Sequence, residues 1–153
     1  MRTVQQWFDE YAVSHQNETN QLIHYICVPA IFFSLVGLLM CIPTTFLTNL
    51  FSFNNPYIEN WATVVLIFTL IFYLRLSFNI FLKMLVFSAI CIVLNRFLGE
   101  YLPLFYTSLA IFVIAWIFQF YGHKVEGKKP SFFKDLQFLL IGPVWVIKKL
   151  MSK

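Results

Sequence analysis

The chain has 153 residues and a net charge of +4, and 59% of it is apolar while only 12% is charged, against about 45–50% and about 25% in ordinary globular domains. A chain this small has too little interior to hide that much apolar surface from water, so an ordinary soluble domain is excluded and part of the solvent is lipid. Nineteen Phe, seven Tyr and four Trp agree, because amphipathic aromatics favour the bilayer interface.

The three cysteines, Cys27, Cys41 and Cys91, lie in apolar runs without zinc or redox spacing and read as small buried hydrophobes rather than a disulfide framework. The amino terminus lacks a cationic start and a small-residue cleavage site, so it is not read as a cleavable signal peptide.

Val4, Trp7 or Phe8, Tyr11 and His15 recur at three- and four-residue steps, which predicts a short amphipathic helix lying on the membrane or capping a bundle. Two of the three histidines, His15 and His24, flank the polar stretch that follows. In one unbroken helix they would point to opposite sides about 13 Å apart. A shared site therefore requires a bend at Asn17 or Asn20, and Asn20 as helix cap would put His24 in the first turn of the next helix.

Ile23 to Ile42 is long enough to cross the roughly 30 Å of hydrocarbon, with a kink expected at Pro29. Residues 43–60, with their prolines and asparagines and no Lys or Arg, read as a loop. Trp61–Leu76 and Phe78–Leu98 follow; one helix of about 37 residues would overshoot the membrane, so a reversal is expected near Arg75–Asn79. Leu104–Tyr121 makes a fourth span. After the basic stretch Lys124–Pro130, Leu136–Ile147 is interrupted by Gly142-Pro143 and is shorter than the roughly 17 residues needed to span.

The expected fold is an all-α polytopic membrane helical bundle in a single domain, 1–153. It has four transmembrane helices, an N-terminal amphipathic helix and a short C-terminal apolar segment, re-entrant or interfacial. Four crossings put both termini on one side, with Arg2, Arg75, Lys124, Lys128, Lys129, Lys134, Lys148, Lys149 and Lys153; Lys83 lies a turn inside and only Arg96 lies near the other side. The positive-inside rule makes that side cytoplasmic. His15, His24 and His123, the whole histidine content, then converge at one depth.

A lone histidine on an apolar face is usually a core residue, but three at one depth suggest a metal centre. Neutral imidazole is the commonest metal ligand, and three leave positions open for oxygen and substrate on an octahedral ion. Trp116, Gln119, Phe120 and His123 share a helix face, so Gln119 either orients a ligand histidine or bonds a neighbouring helix as packing glue. Lys124, Lys128 and Lys129 attract anionic headgroups or guide a fatty acid carboxylate to the histidines. Glu10, Glu126 and Asp135 are open choices for a further ligand, and zinc would satisfy three imidazoles as well as iron.

Tyr11, His15, Asn17, Asn20, Leu22-Ile23-His24 and Val28-Pro29 form one motif; Trp116-Ile117-Phe118-Gln119-Phe120, Gly122-His123 and Pro130 form a second. In order and spacing they resemble the membrane-bound 2-hydroxy fatty acid dioxygenases related to the yeast enzyme of phytosphingosine and odd-chain fatty acid metabolism. The resemblance implies an iron(II)-dependent enzyme that removes C1 of a 2-hydroxy fatty acid, with His15, His24 and His123 as ligands. Its partners would be the 2-hydroxy fatty acid, dioxygen and the bilayer, not nucleic acid. The stretch Lys124–Lys129 is one residue shorter than the family's, so the resemblance does not define which role Glu126 plays. Tyr11, Asn17, Asn20, Trp116, Gln119, Lys124 and Glu126 are the expected supporting or substrate-contacting residues.

Di-iron desaturases are set aside because their sites need about eight histidines. A haem carrier is disfavoured because axial histidines usually face one another inside a bundle. The remaining alternative is a non-enzymatic membrane scaffold or lipid-binding protein. The membrane is a bacterial inner membrane or the endoplasmic reticulum.

Overall fold

The computed structural model describes residues 4–13, 15–51, 53, 55–127 and 140–151. Among them the secondary structure is helical, without strands. The helices are α1 Val4–Ala12, α2 Glu18–Met40, α3 Thr45–Phe51, α4 Trp61–Leu76, α5 Phe78–Tyr101, α6 Leu104–Val125 and α7 Gly142–Met151.

α1 has the expected amphipathic character: Phe8 and Tyr11 are buried, while Gln5 bonds Asp9 on the exposed face. The bend between the first two histidines is present, but Asn17, not Asn20, caps α2. Asn17 Oδ1 accepts the N–H groups of Thr19 at 2.9 Å and Asn20 at 3.3 Å, so the helix begins at Glu18 and His24 falls in its second turn. α2 continues through Pro29, which lacks the N–H for one helical hydrogen bond.

Three helices, α2, α5 and α6, are long and apolar enough to cross a membrane; α4 is shorter, at 16 residues. Their exposed surface is largely apolar, with Phe68, Val86, Phe97 and Phe118 each more than half exposed, as lipid-facing helices require. The reversal between α4 and α5 is made by Ser77 alone, in extended conformation with φ −171° and ψ 137°. Any residue adopts that conformation, so neither Gly nor Pro is needed. The two helices pack against each other.

One expectation is corrected. The stretch read as a loop contains α3, whose Leu47 is buried; Phe46, Leu47, Leu50 and Phe51 carry the helical spacing that marks it. The break expected at Gly142-Pro143 is present: residues 140–141 form a turn and the pair starts α7, because proline suits a first helical turn, where its missing N–H has no partner to lose. Residues 136–139 of that segment lie outside the described residues.

The chain forms two compact units. One comprises residues 1–32 and 111–153, with a core of Cys27, Ile31, Ala115 and Trp116, joined by Ile23, Ala30 and Phe112. The other comprises residues 33–110. There α5 buries Met84, Ser88, Cys91 and Asn95, a single stripe at four- and three-residue steps. Its buried face is thus more polar than its exposed face, the reverse of a water-soluble helix. All three cysteines are free thiols.

Candidate metal centre

The three histidines meet inside the first unit. His15 stands in the connection after α1, His24 in α2 and His123 near the end of α6. Their exposures are 4%, 2% and 3%. Ring centroids are 4.3 Å apart for His15 and His24, 5.0 Å for His24 and His123, and 5.5 Å for His15 and His123. One ligand nitrogen from each lies within 4.8 Å of the others. Nitrogens held about 2.1 Å from a common ion are at most about 4.2 Å apart, so small ring rotations close the triad.

Two of the rings have a defined tautomer. His15 Nδ1 is 2.6 Å from the Tyr11 carbonyl oxygen and His24 Nδ1 is 2.9 Å from that of Asn20. A carbonyl oxygen only accepts, so each Nδ1 carries the proton. In the neutral rings the lone pair is then on Nε2, the arrangement a metal-binding imidazole needs. Both acceptors lie four residues before their histidine, so the backbone that places each ring also sets its protonation. The donor set fits a divalent transition metal, and three imidazoles suit iron and zinc alike.

Aromatic packing restrains the rings. Tyr11 stacks on His15 at 3.9 Å and 5°, and Trp145 of α7 lies 5.1 Å from Tyr11 and 5.9 Å from His15. Tyr25 stacks on the same Trp145 at 5.7 Å, with Lys149 Nζ 5.6 Å from the Trp145 ring centre. Gly142 brings α7 close: a Cβ there would lie 3.0 Å from Val28 Cγ1. Gly122 does the same for α6, where a Cβ would collide with Asn20 Oδ1.

Glu126 closes the arrangement from beyond α6. Its carboxylate accepts the N–H groups of Gln16 at 3.0 Å and Asn17 at 2.9 Å and the side-chain amide of Asn20 at 3.1 Å. Burial raises the carboxyl's pKa; the bonds from Asn17, Gln16 and Asn20 and the charge of His15 lower it and together prevail, holding it below its ordinary value. These oxygens are thus engaged with the connection that carries His15. Gln21 Nε2 donates to the His15 carbonyl at 2.8 Å, tying the same connection to α2.

The expected supporting residues divide by position. Tyr11, Asn17, Asn20 and Glu126 shape the histidine cluster directly. Gln119 is buried one turn before His123, and Lys124 is exposed beside it. Trp116 belongs to the apolar core and packs on Phe120 at 5.4 Å. Glu10 is exposed. Lys128, Lys129, Lys134 and Asp135 lie outside the described residues. Sequence reasoning missed Trp145 and Tyr25; with Gly142-Pro143 read as a break, nothing marked the helix that carries Trp145 to the site.

Fold and site together define a helical protein of membrane character with a buried three-histidine cluster assembled from both ends of its sequence. Residues 1–153 match the family described as Mpo1-like, 2-hydroxy-palmitic acid dioxygenase Mpo1-like, and the chain belongs to that family. No curated protein and no solved structure matches it.

Proposed function

We propose that the protein is an iron(II)-dependent dioxygenase that converts a 2-hydroxy fatty acid into the acid shortened by one carbon, with His15, His24 and His123 holding the metal. The observation that carries this reading is the convergence of three buried imidazoles from distant parts of the chain, in a family named for a 2-hydroxy-palmitic acid dioxygenase. The reaction balances without an added reductant: the hydroxy acid and one dioxygen give the shorter acid, carbon dioxide and water. The bound iron would supply a centre at which the hydroxy acid's head group and dioxygen come together.

The protein's own groups do the rest. The Tyr11 and Asn20 carbonyls keep the ligand nitrogens of His15 and His24 deprotonated. Tyr11 and Trp145 limit ring rotation and exclude water. Glu126 holds the connection bearing His15 against the end of α6, and Lys124, exposed beside His123, meets the substrate carboxylate. Gln119 supports His123 from one turn below, and the acyl tail remains in lipid or against apolar helix surface.

In this reading α2, α4, α5 and α6 are four membrane crossings. The excess of Lys and Arg then puts both termini and the histidines on the cytoplasmic side of a bacterial inner membrane or the endoplasmic reticulum. Purified protein supplied with ferrous iron, oxygen and a 2-hydroxy acyl chain is expected to yield the acid one carbon shorter, detected by mass spectrometry. His24→Ala is expected to lose bound metal and at least about a hundredfold in turnover, as for loss of a group essential to the chemistry. Metal-loaded wild-type protein that forms no shortened acid would refute the assignment.

A further inference from the structure

The second unit contains a polar cavity of about 480 Å³, within the usual size range of small-molecule sites. It is lined by the last residue of α2, Met40, the last turn of α5 at Gly99 and Glu100, and the first residue of α6, Leu104. α2, α5 and α6 are the three helices long and apolar enough to cross a membrane. A cavity at their ends therefore lies where hydrocarbon gives way to headgroups.

Its walls carry both signs of charge: Glu59 and Glu100 against Arg96. Glu59 is only 6% exposed, and the contact identified for its carboxylate is the Phe53 N–H at 2.6 Å. One backbone N–H is slight compensation for a carboxylate withdrawn from water. Asn95, fully buried, forms part of the same wall. Its amide hydrogens are committed to the carbonyls of Phe33 and Cys91, and its Oδ1 is enclosed against Gly37 and Ser108, which do not line the cavity. The cavity wall thus sets two carboxylates against one guanidinium.

Glu59 also lines a second cavity, of about 420 Å³, between α3 and α4. That one is apolar, walled by residues such as Leu47, Leu50, Val64 and Phe68. A polar chamber and an apolar groove sharing one carboxylate match a molecule with a charged head and a hydrocarbon tail.

We propose that the second unit binds an aminophospholipid: its primary ammonium between Glu59 and Glu100, its phosphate on Arg96, and one acyl chain in the groove between α3 and α4. A primary ammonium donates hydrogen bonds to both carboxylates, which a quaternary ammonium cannot do. This site is distinct from the histidine cluster and does not depend on the proposed reaction.

The test is native mass spectrometry of the full-length protein in detergent. It would be offered equal amounts of phosphatidylethanolamine, phosphatidylcholine and phosphatidylglycerol with identical acyl chains. Phosphatidylethanolamine is expected to be retained about tenfold over the others, a difference of about 1.4 kcal/mol. Glu59→Gln and Arg96→Gln should each remove most of that preference. Glu100→Gln, at an exposed position, should do so without changing the unfolding transition, which keeps the test valid should Glu59→Gln fail to fold. Free phosphoethanolamine separates a lipid from a water-borne source: if it binds with the same dependence on Glu100 while the lipid is not retained, the lipid assignment fails. Equal retention of all three lipids, or a preference unchanged in the variants, overturns the site itself.

Discussion

Glu126 receives three hydrogen bonds from positions between 106 and 110 residues earlier in the chain. At the scale of single residues, no other side chain described here ties the connection bearing His15 so directly to the end of α6. Its carboxyl is held below its ordinary value of 4.5, and the sign of the consequence follows from linkage. A carboxyl with a depressed folded pKa stabilises the fold fully above its ordinary value, and that contribution is lost as pH falls through the folded value. Because the group faces solvent, the effect is modest. Glu126→Gln keeps one acceptor oxygen but turns an amide N–H₂ toward N–H donors and titrates no longer. The stability gap between wild type and variant, read from denaturant unfolding in detergent, is expected to be constant near neutrality and to shrink below about pH 4.5. Parallel curves down to pH 3 would show that the three bonds do not depend on the charge. The sequence disclosed that a glutamate follows Gly-His, but its role was not readable, because two of its three partners are backbone N–H groups that carry no sequence signature and the third, Asn20, lies 106 residues away.

At the scale of elements, hydrophobic runs located α2, α4, α5 and α6 well, because a membrane demands length and apolarity and both are written in composition. Their ends were less legible. α2 starts earlier than the apolar run because a polar cap, Asn17, can set a helix end ahead of any hydrophobic residue. α3 was hidden by the prolines and asparagines around it, and α7 by a Gly-Pro pair whose meaning depends on whether the helix lies before or after it. The cap is open to measurement. Asn17→Ala removes the acceptor for Thr19 and Asn20 and should cost about 1 kcal/mol of unfolding free energy. Asn17→Asp, which keeps the acceptor, should recover most of it. Since Asn20 provides the carbonyl that sets the His24 tautomer, fraying of this turn should also weaken metal binding. An alanine variant with unchanged stability and metal affinity would mean that Glu126 alone fixes the turn.

At the scale of the whole chain, one of the two units is built from residues 1–32 and 111–153, and the histidine cluster spans that discontinuity. The histidines themselves could be found in the sequence because there are only three, with His24 and His123 at the edges of apolar runs and His15 in step with the apolar positions of the first helix. Their approach to within 4.8 Å could not, since it depends on side-chain packing by Tyr11, Trp145 and Gly122 that no periodicity encodes. An ion shared by His15, His24 and His123 would bind the folded chain and not the unfolded one, in which the ligands are far apart. Binding must then stabilise the fold, by about 2.7 kcal/mol at a free metal concentration a hundredfold above the dissociation constant. Unfolding of the purified protein under anaerobic conditions is expected to shift upward on adding ferrous iron and to return on adding a chelator. His123→Ala should abolish the shift although His15 and His24 remain, because removing the back-end ligand leaves only two nitrogens from neighbouring positions. A shift of equal size in that variant would mean that the ion is held elsewhere; no shift in the wild type would mean that the three imidazoles come together without a metal.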